Sequence, residues 1–185
     1  MLNLGSGGMT YDLPPSTFEL DLSIAALKGR PRAAVGDAHL LPVQPSSIDV
    51  CVCVGSVANY VSLVDLFSEV NRSLKLGGVF ILEYERSEPY GRSKVHPPDL
   101  LPLRVPYRGE EHTCWFYSER YLEGALLAAG FAIEARREFH IGSQFLARFH
   151  IPLGAAALAG FADRFLARLG AGLGANAALR CTKGS

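Results

Sequence analysis

No stretch of this 185-residue chain is apolar for long enough to cross a bilayer as a helix, although 49% of its residues are hydrophobic. Net charge is also missing: 18 Lys and Arg balance 18 Asp and Glu, which argues against an extended nucleic-acid-binding surface. No basic segment followed by an apolar stretch opens the chain, so the expected location is the cytoplasm. Cysteine is sparse. The four are Cys51, Cys53, Cys114 and Cys181, and no C-x-x-C pair or histidine cluster has zinc spacing, so no metal site is expected. Cys51 and Cys53, two apart in the run Val50–Val54, share a face on a strand and read as small core hydrophobes. Internal repeats are lacking, and the length suits one domain over 1–185.

What the chain does have is a glycine-rich turn directly after a short apolar strand, in Leu2-Asn3-Leu4-Gly5-Ser6-Gly7-Gly8. Glycines there allow positive φ and bring backbone N–H groups close to a ligand, at the end of a strand where open α/β sheets bind nucleotides. The same four residues are equally an ordinary flexible turn, so the rest of the chain must decide.

Thr17–Asp21 reads as a second strand ending on an acid, and Ala33–Asp37 as a third. Between them Ser23 caps a short predicted helix, Ile24–Lys28, stopped by Gly29 and Pro31. Ile48–Val54 is an apolar run of the kind buried on both faces of a parallel sheet. Leu63–Leu74 has helical periodicity with Val64, Phe67, Val70 and Leu74 on one face, and Gly77-Gly78 is read as its stop. The strand Val79–Glu83 follows, then an irregular segment, Arg86–Phe116, rich in proline and charge; such segments are usually functional or disordered. Helix Ser118–Ala129, strand Phe131–Phe139, an Ala/Leu helix at Ala155–Leu169, a glycine-rich connector and an edge strand at Ala175–Thr182 complete the reading. The alternation implies a parallel, doubly wound α/β sheet.

With these segments in order, the chain resembles the Rossmann-like, class I S-adenosylmethionine-dependent methyltransferases. The opening glycine turn is similar to the family's first motif, and Asp21 sits where the family has an acid ending strand two. Gly36-Asp37-Ala38-His39-Leu40-Leu41-Pro42 is similar to its GDA-x-x-LP motif, and Leu74–Leu82, with Lys75 and Gly77-Gly78, to its L-K-P-G-G segment. Phe116–Phe131 resembles the late helix and sixth strand. The resemblance implies a mostly parallel Rossmann-like sheet with an antiparallel C-terminal edge strand, and S-adenosylmethionine as cofactor. It implies a cofactor site built from Asn3, Gly5, Ser6, Gly7, Asp21, Leu22, Asp37, Ala38, Val54 and Gly55. Asp21 would accept from the ribose hydroxyls, and Asp37 from the adenine amino group with the Ala38 N–H facing a ring nitrogen. Taken alone, Asp21 is also a favourable charge at a helix N-terminus and Asp37 a turn-forming residue.

The chain departs from the pattern at its start. Only about ten residues separate Gly8 from strand two, the lower limit for a crossover between parallel strands, and Met9–Ser16 with Pro14-Pro15 cannot form a helix. The fold is therefore expected to be N-terminally shortened, with one sheet face covered by a homodimer partner or by Arg86–Phe116 folding back. Met9 and Asn3 replace a glycine and an acid of the family pattern.

The reaction implied is in-line methyl transfer from a sulfonium, to which the protein contributes proximity, orientation and a base. Tyr60, the Glu83–Glu85 segment and the Arg86–Phe116 insert are expected to form the acceptor site. His96 and His112 are candidate bases, or else solvated loop residues. Tyr84, Tyr90, Tyr107, Trp115 and Tyr117 suit an aromatic pocket or core anchors; Arg86, Arg92, Arg104 and Arg108 suit an anionic substrate or a solvated loop. The acceptor expected by analogy is a small molecule, such as a sugar or secondary-metabolite hydroxyl. A non-catalytic methyltransferase-like module is the second hypothesis. A nicotinamide-dependent oxidoreductase is the third, disfavoured by the short first crossover.

Overall fold

The computed structural model describes residues 1–7, 11–55, 57–87, 99–107, 110–139 and 174–184. Among them lie β1 (Leu2–Leu4), β2 (Phe18–Asp21), β3 (Ala33–Val35), β4 (Ile48–Cys53), a 3-10 turn (Val57–Asn59), α1 (Leu63–Ser73) and β5 (Leu74–Glu85). After these come β6 (Leu100–Tyr107), β7 (Glu110–Tyr117), α2 (Glu119–Ala128), β8 (Phe131–Phe139) and β9 (Asn176–Lys183).

Seven strands form one sheet in the order β3-β2-β1-β4-β5-β9-β8. From β3 to β5 every pairing is parallel, and β9 is antiparallel to both its neighbours. The C-terminal strand is antiparallel as expected; it lies one place in from the margin, with β8 outermost. The register Leu4↔Leu20, Leu4↔Cys53, Cys53↔Leu82 and Leu82↔Leu179 puts a row of apolar side chains on one face. Phe80, on the same face, meets Phe67 of α1 edge-on at 6.1 Å and Phe131 of β8 at 5.4 Å. Both described α-helices pack on this face, where Leu66, Phe67, Val70, Leu122 and Leu126 are fully buried. The cysteines join the core as expected, and burial raises the thiols, Cys53 and Cys181 each to about 12.

Local chemistry sets the helix limits. Ser62 caps α1, its side chain accepting the Asp65 amide at 3.4 Å, and Ser118 caps α2 by accepting the Tyr121 amide at 3.2 Å. The buried stripe of α1 is Leu63, Leu66, Phe67 and Val70, which corrects the expected face: Val64 points to solvent. The helix also ends sooner than Gly77-Gly78. Ser73 closes it by donating its hydroxyl to the Glu69 carbonyl at 2.7 Å, and Leu74 is already extended. The two glycines lie within β5, where the register with β4 slips between Ile48↔Leu74 and Val50↔Val79.

Residues Ile24–Lys28 are a second correction. They form successive turns, with amide-to-carbonyl bonds from Ala26 to Ser23, Leu27 to Ile24 and Lys28 to Ala25, rather than an α-helix. So short a segment, followed by Gly29 and Pro31, cannot repay helix nucleation. A third concerns Arg86–Phe116. Its described part after residue 98 is regular: β6 and β7 form a two-stranded antiparallel sheet, with Leu103 opposite Cys114. Pro102 and Pro106 concealed it. They are four apart, so both missing N–H groups fall on one side of β6, a pattern an outer strand tolerates. The predicted helix Ala155–Leu169 lies outside the described residues.

Residues 11–16 are not helical; Pro14 accepts the Thr17 amide in a turn at 2.9 Å. Tyr11, Leu13 and Pro14 border the sheet's other face. There, with Asn3, Glu19 and Arg32, they line a cavity of about 250 Å³.

Candidate functional site

The carboxyl ends of β1, β2 and β4 meet along one edge of the sheet, the position at which open α/β sheets bind ligands. Gly5 leaves β1 with φ +65°, and its amide donates to the Leu20 carbonyl at 2.7 Å. A Cβ there would sit 2.3 Å from Val57 Cγ2, so the turn closes only around glycine. Ser6 is buried, and its hydroxyl finds no hydrogen-bond partner among the described residues. Gly7 is exposed, and its amide donates to Asp21 Oδ2 at 2.8 Å. The other oxygen, Oδ1, takes the Ser23 amide at 2.8 Å. Asp21 thus laces the glycine turn to the end of β2, and each oxygen keeps a further lone pair for a ligand donor.

Beyond β3, the Asp37 carboxylate accepts the His39 amide at 2.9 Å and meets His39 Nδ1 at 2.6 Å. These bonds, the backbone one foremost, hold the Asp37 carboxyl below its ordinary value. The opposite ring nitrogen, Nε2, accepts the Ser62 amide at 3.0 Å, which fixes the proton on Nδ1 in the neutral ring. Ala38 is buried beside Asp37. Leu22 and Leu40 are 68% and 75% exposed, so two apolar side chains stand open next to two carboxylates.

At the tip of β4, Val54 is half-buried and Gly55 has φ +77°. The Gly55 amide donates to Glu83 Oε2 at 2.9 Å, and the Asn176 side-chain amide donates to Glu83 Oε1 at 3.1 Å. A Cβ on Gly55 would lie 3.0 Å from the Tyr11 hydroxyl. Burial first and the Glu83 charge second raise the Tyr11 phenol. Tyr11 and Asn176 went unread in the sequence. The one signal for Tyr11 was the short crossover itself, which must bring residues between β1 and β2 across this edge.

Asn3 stands apart from the edge. It faces the other side of the sheet, donates to Glu19 at 3.5 Å, and leaves its side-chain oxygen without a partner. Glu19 in turn pairs with Arg30.

On the acceptor side, Tyr60 is 43% exposed and contacts Cys114, whose thiol burial, then Glu85, push up to about 11. Asn59 is fully buried. It donates to the Glu85 and Trp115 carbonyls at 3.1 and 2.6 Å and accepts the Glu85 amide at 2.9 Å, tying the 3-10 turn to β5 and β7. His112 is half-buried in β7. His96, Tyr90, Arg92, Arg108 and the Tyr107 side chain lie outside the described residues. Two acceptor candidates are corrected. Tyr84 is fully buried in the core, and Arg86, 1% exposed, is held by Glu138 at 3.1 Å, Glu119 at 3.4 Å and the Gly174 carbonyl at 2.9 Å. Neither can line an open pocket.

Among the described residues, no group of three or more His, Cys, Asp and Glu side chains is arranged for a metal ion, and no helix is long and apolar enough to cross a membrane. The site's features fit S-adenosylmethionine. They comprise the unpartnered Ser6 hydroxyl, the glycine-only turn at Gly5, and the Asp21 and Asp37 carboxylates beside open leucines.

Residues 4–82 match the methyltransferase-domain family. Among solved structures, a protein from Listeria monocytogenes assigned as an S-adenosylmethionine-dependent methyltransferase superposes with TM-score 0.70 at 17% identity, covering 100% of this chain and 90% of that one. The glycopeptide N-methyltransferase MtfA, in complex with S-adenosylhomocysteine, gives TM-score 0.65 at 16% identity over 98% of this chain and 81% of that one. The [4+2]-cyclase SpnF gives TM-score 0.61 at 19% identity over 99% and 73%. No curated protein sequence matches the chain significantly.

Proposed function

We infer that this chain, with its Rossmann-like fold, is a class I methyltransferase that transfers the methyl group of S-adenosylmethionine to a small-molecule acceptor. The domain match over residues 4–82 and the fold support the enzyme class and cofactor of this reading. The observation that carries the site is the pair of acids at the tips of β2 and β3, one laced to the glycine turn at 2.8 Å, the other fixed by His39. In this reading Asp21 holds the ribose hydroxyls, and Asp37 and Ala38 the adenine edge. Leu22 and Leu40 cover the adenine faces, while Gly5, Ser6 and Gly7 border the methionine part.

The bound cofactor supplies an activated methyl on a cationic sulfur. The protein's part is to hold that methyl in line with the nucleophile and to keep water out. Gly55, with no side chain, leaves the approach open between Tyr11 and Glu83. Tyr60, partly exposed and in contact with Cys114, borders the acceptor's approach in this reading, and His112 lies on the Cys114 face of β7. A sugar or secondary-metabolite hydroxyl is the acceptor group proposed. The reading takes the whole chain as one domain, acting in the cytoplasm without nucleic acid or membrane, with a homodimer partner on the sheet face opposite α1 and α2.

A second reading is a methyltransferase-like module that does not transfer methyl groups. It is supported by the non-helical 11–16 crossover, which leaves the cleft's margin to an extended segment. The SpnF comparison adds that this fold also houses another reaction. Calorimetric titration of S-adenosylmethionine and S-adenosylhomocysteine, with Asp21→Ala as control, tests the first reading. Micromolar binding that Asp21→Ala abolishes supports it; a folded wild-type protein that binds neither compound rejects it.

A further inference from the structure

Glu83 is a part-buried carboxylate whose two partners are both neutral: the Gly55 backbone amide at 2.9 Å and the Asn176 side-chain amide at 3.1 Å. Among the described residues no lysine, arginine or histidine pairs with it. Asp21, at the same sheet edge, is likewise held by two backbone amides, but three other part-buried carboxylates are paired with cations. Glu19 meets Arg30, Glu69 meets Arg72 at 2.8 Å, and Glu138 meets both Arg86 and Arg136, at 3.1 and 2.8 Å. A carboxylate withdrawn from water costs free energy that neutral donors repay only in part, and a cation repays more fully.

The position of this charge gives it meaning. Glu83 stands at the end of β5, beside the tip of β4, on the sheet edge that carries the glycine turn and the two acids. Tyr11 closes it from the side of the β1–β2 crossover, with its hydroxyl over Gly55. The field of Glu83 reaches both sides of this point. After burial, it is the second cause of the raised Tyr11 phenol and of the raised Cys53 thiol behind Gly55. A raised phenol stays protonated at neutral pH, so Tyr11 offers lone pairs without adding a second negative charge.

We propose that Glu83, oriented by Gly55 and Asn176 and faced by Tyr11, forms a cation subsite that recognises the positively charged centre of the methyl donor and discriminates it from the neutral thioether product. This rests on the methyltransferase reading of the site. It assigns to the shortened crossover the task of delivering the phenol that closes the subsite. Because the subsite prefers a cation, it favours donor over spent product and so helps product leave.

The test is binding, not turnover. Dissociation constants are measured calorimetrically for S-adenosylmethionine, for S-adenosylhomocysteine and for sinefungin, which carries an ammonium group where the donor carries its methylsulfonium. Glu83→Gln should weaken the two cationic ligands roughly tenfold, the size of one modest charge contact, and leave the neutral product within about twofold. Glu83→Asp, which keeps the charge, should retain most of the preference, and Tyr11→Phe should weaken the same two ligands by a smaller factor. Thermal melting of each variant shows that it is folded. If folded Glu83→Gln weakens all three ligands equally, or none, the subsite is refuted while the cofactor reading stands. If Glu83→Gln does not fold, Tyr11→Phe decides: selective weakening of the two cations sustains the proposal, and equal weakening of all three ligands, or of none, overturns it. Wild-type protein that binds none of the three overturns both readings.

Discussion

Asp21 accepts the Gly7 amide at 2.8 Å across the gap between the ends of β2 and β1, and the Ser23 amide at the same distance on its other oxygen. One side chain thus shapes the glycine turn before any ligand arrives. Replacing it removes two anchors from a half-buried position, where each hydrogen bond is worth about 1 kcal/mol net. Asp21→Ala is expected to cost about 1–2 kcal/mol in urea denaturation and to lose cofactor binding. Asp21→Asn, able to accept through one oxygen only, should fall between the two.

Asn59 makes a stronger prediction because nothing around it is wet. Its amide serves three backbone groups, on Glu85 and Trp115, from a fully buried site. Asn59→Leu preserves the bulk and orphans those groups, so it should destabilise by about 2–4 kcal/mol. The accompanying change should be local: hydrogen exchange at the Glu85 amide should accelerate more than at Leu82. Equal stability of Asn59→Leu and wild type in urea would refute this.

Glu69 holds the loop before β4 against α1. It accepts the Leu41 amide at 2.8 Å and grips Arg72, which in turn donates to the Leu41 and Val43 carbonyls at 3.0 Å each. The Arg72 hydrogen bond is the main reason its carboxyl lies below the ordinary glutamate value. A depressed folded value means that the stabilisation is complete above the unfolded value of about 4.3 and fades as pH falls through the folded one. Glu69→Gln should therefore be less stable than wild type at pH 7, by about 1–3 kcal/mol, and the difference should close on acidification below about pH 4. A gap that stays constant with pH would mean that the charge is not what matters.

The parallel sheet could be anticipated because period and glycine placement are local signals: β1, β4, β8, the start of α2 at Ser118 and the acid ending β2 all stand where the sequence puts them. What escaped depended on partners remote in sequence. The α1 stripe shifted from Val64 to Leu63 and Leu66 because the Phe80 row of β5 sets which face is inside. The hairpin of β6 and β7 was hidden by Pro102 and Pro106, whose cost depends on which side of the strand has a neighbour. Arg86 reads as a soluble cation until Glu138, far along the chain, comes to meet it at 3.1 Å. In the candidate site the glycines and acids carried their own signal. Tyr11 and Asn176 did not, since neither has meaning until Glu83 lies between them.

The placement of β9 has a consequence for how the chain is made. β9, made after every other described strand, is an inner one, bonded on one side to β5 and on the other to β8. Until residues 176–183 have left the ribosome, the ladders of β5 and β8 that β9 will join lack that partner. From the completion of β8 to the arrival of β9 the nascent protein therefore carries two adhesive margins, and a single late stroke seals both.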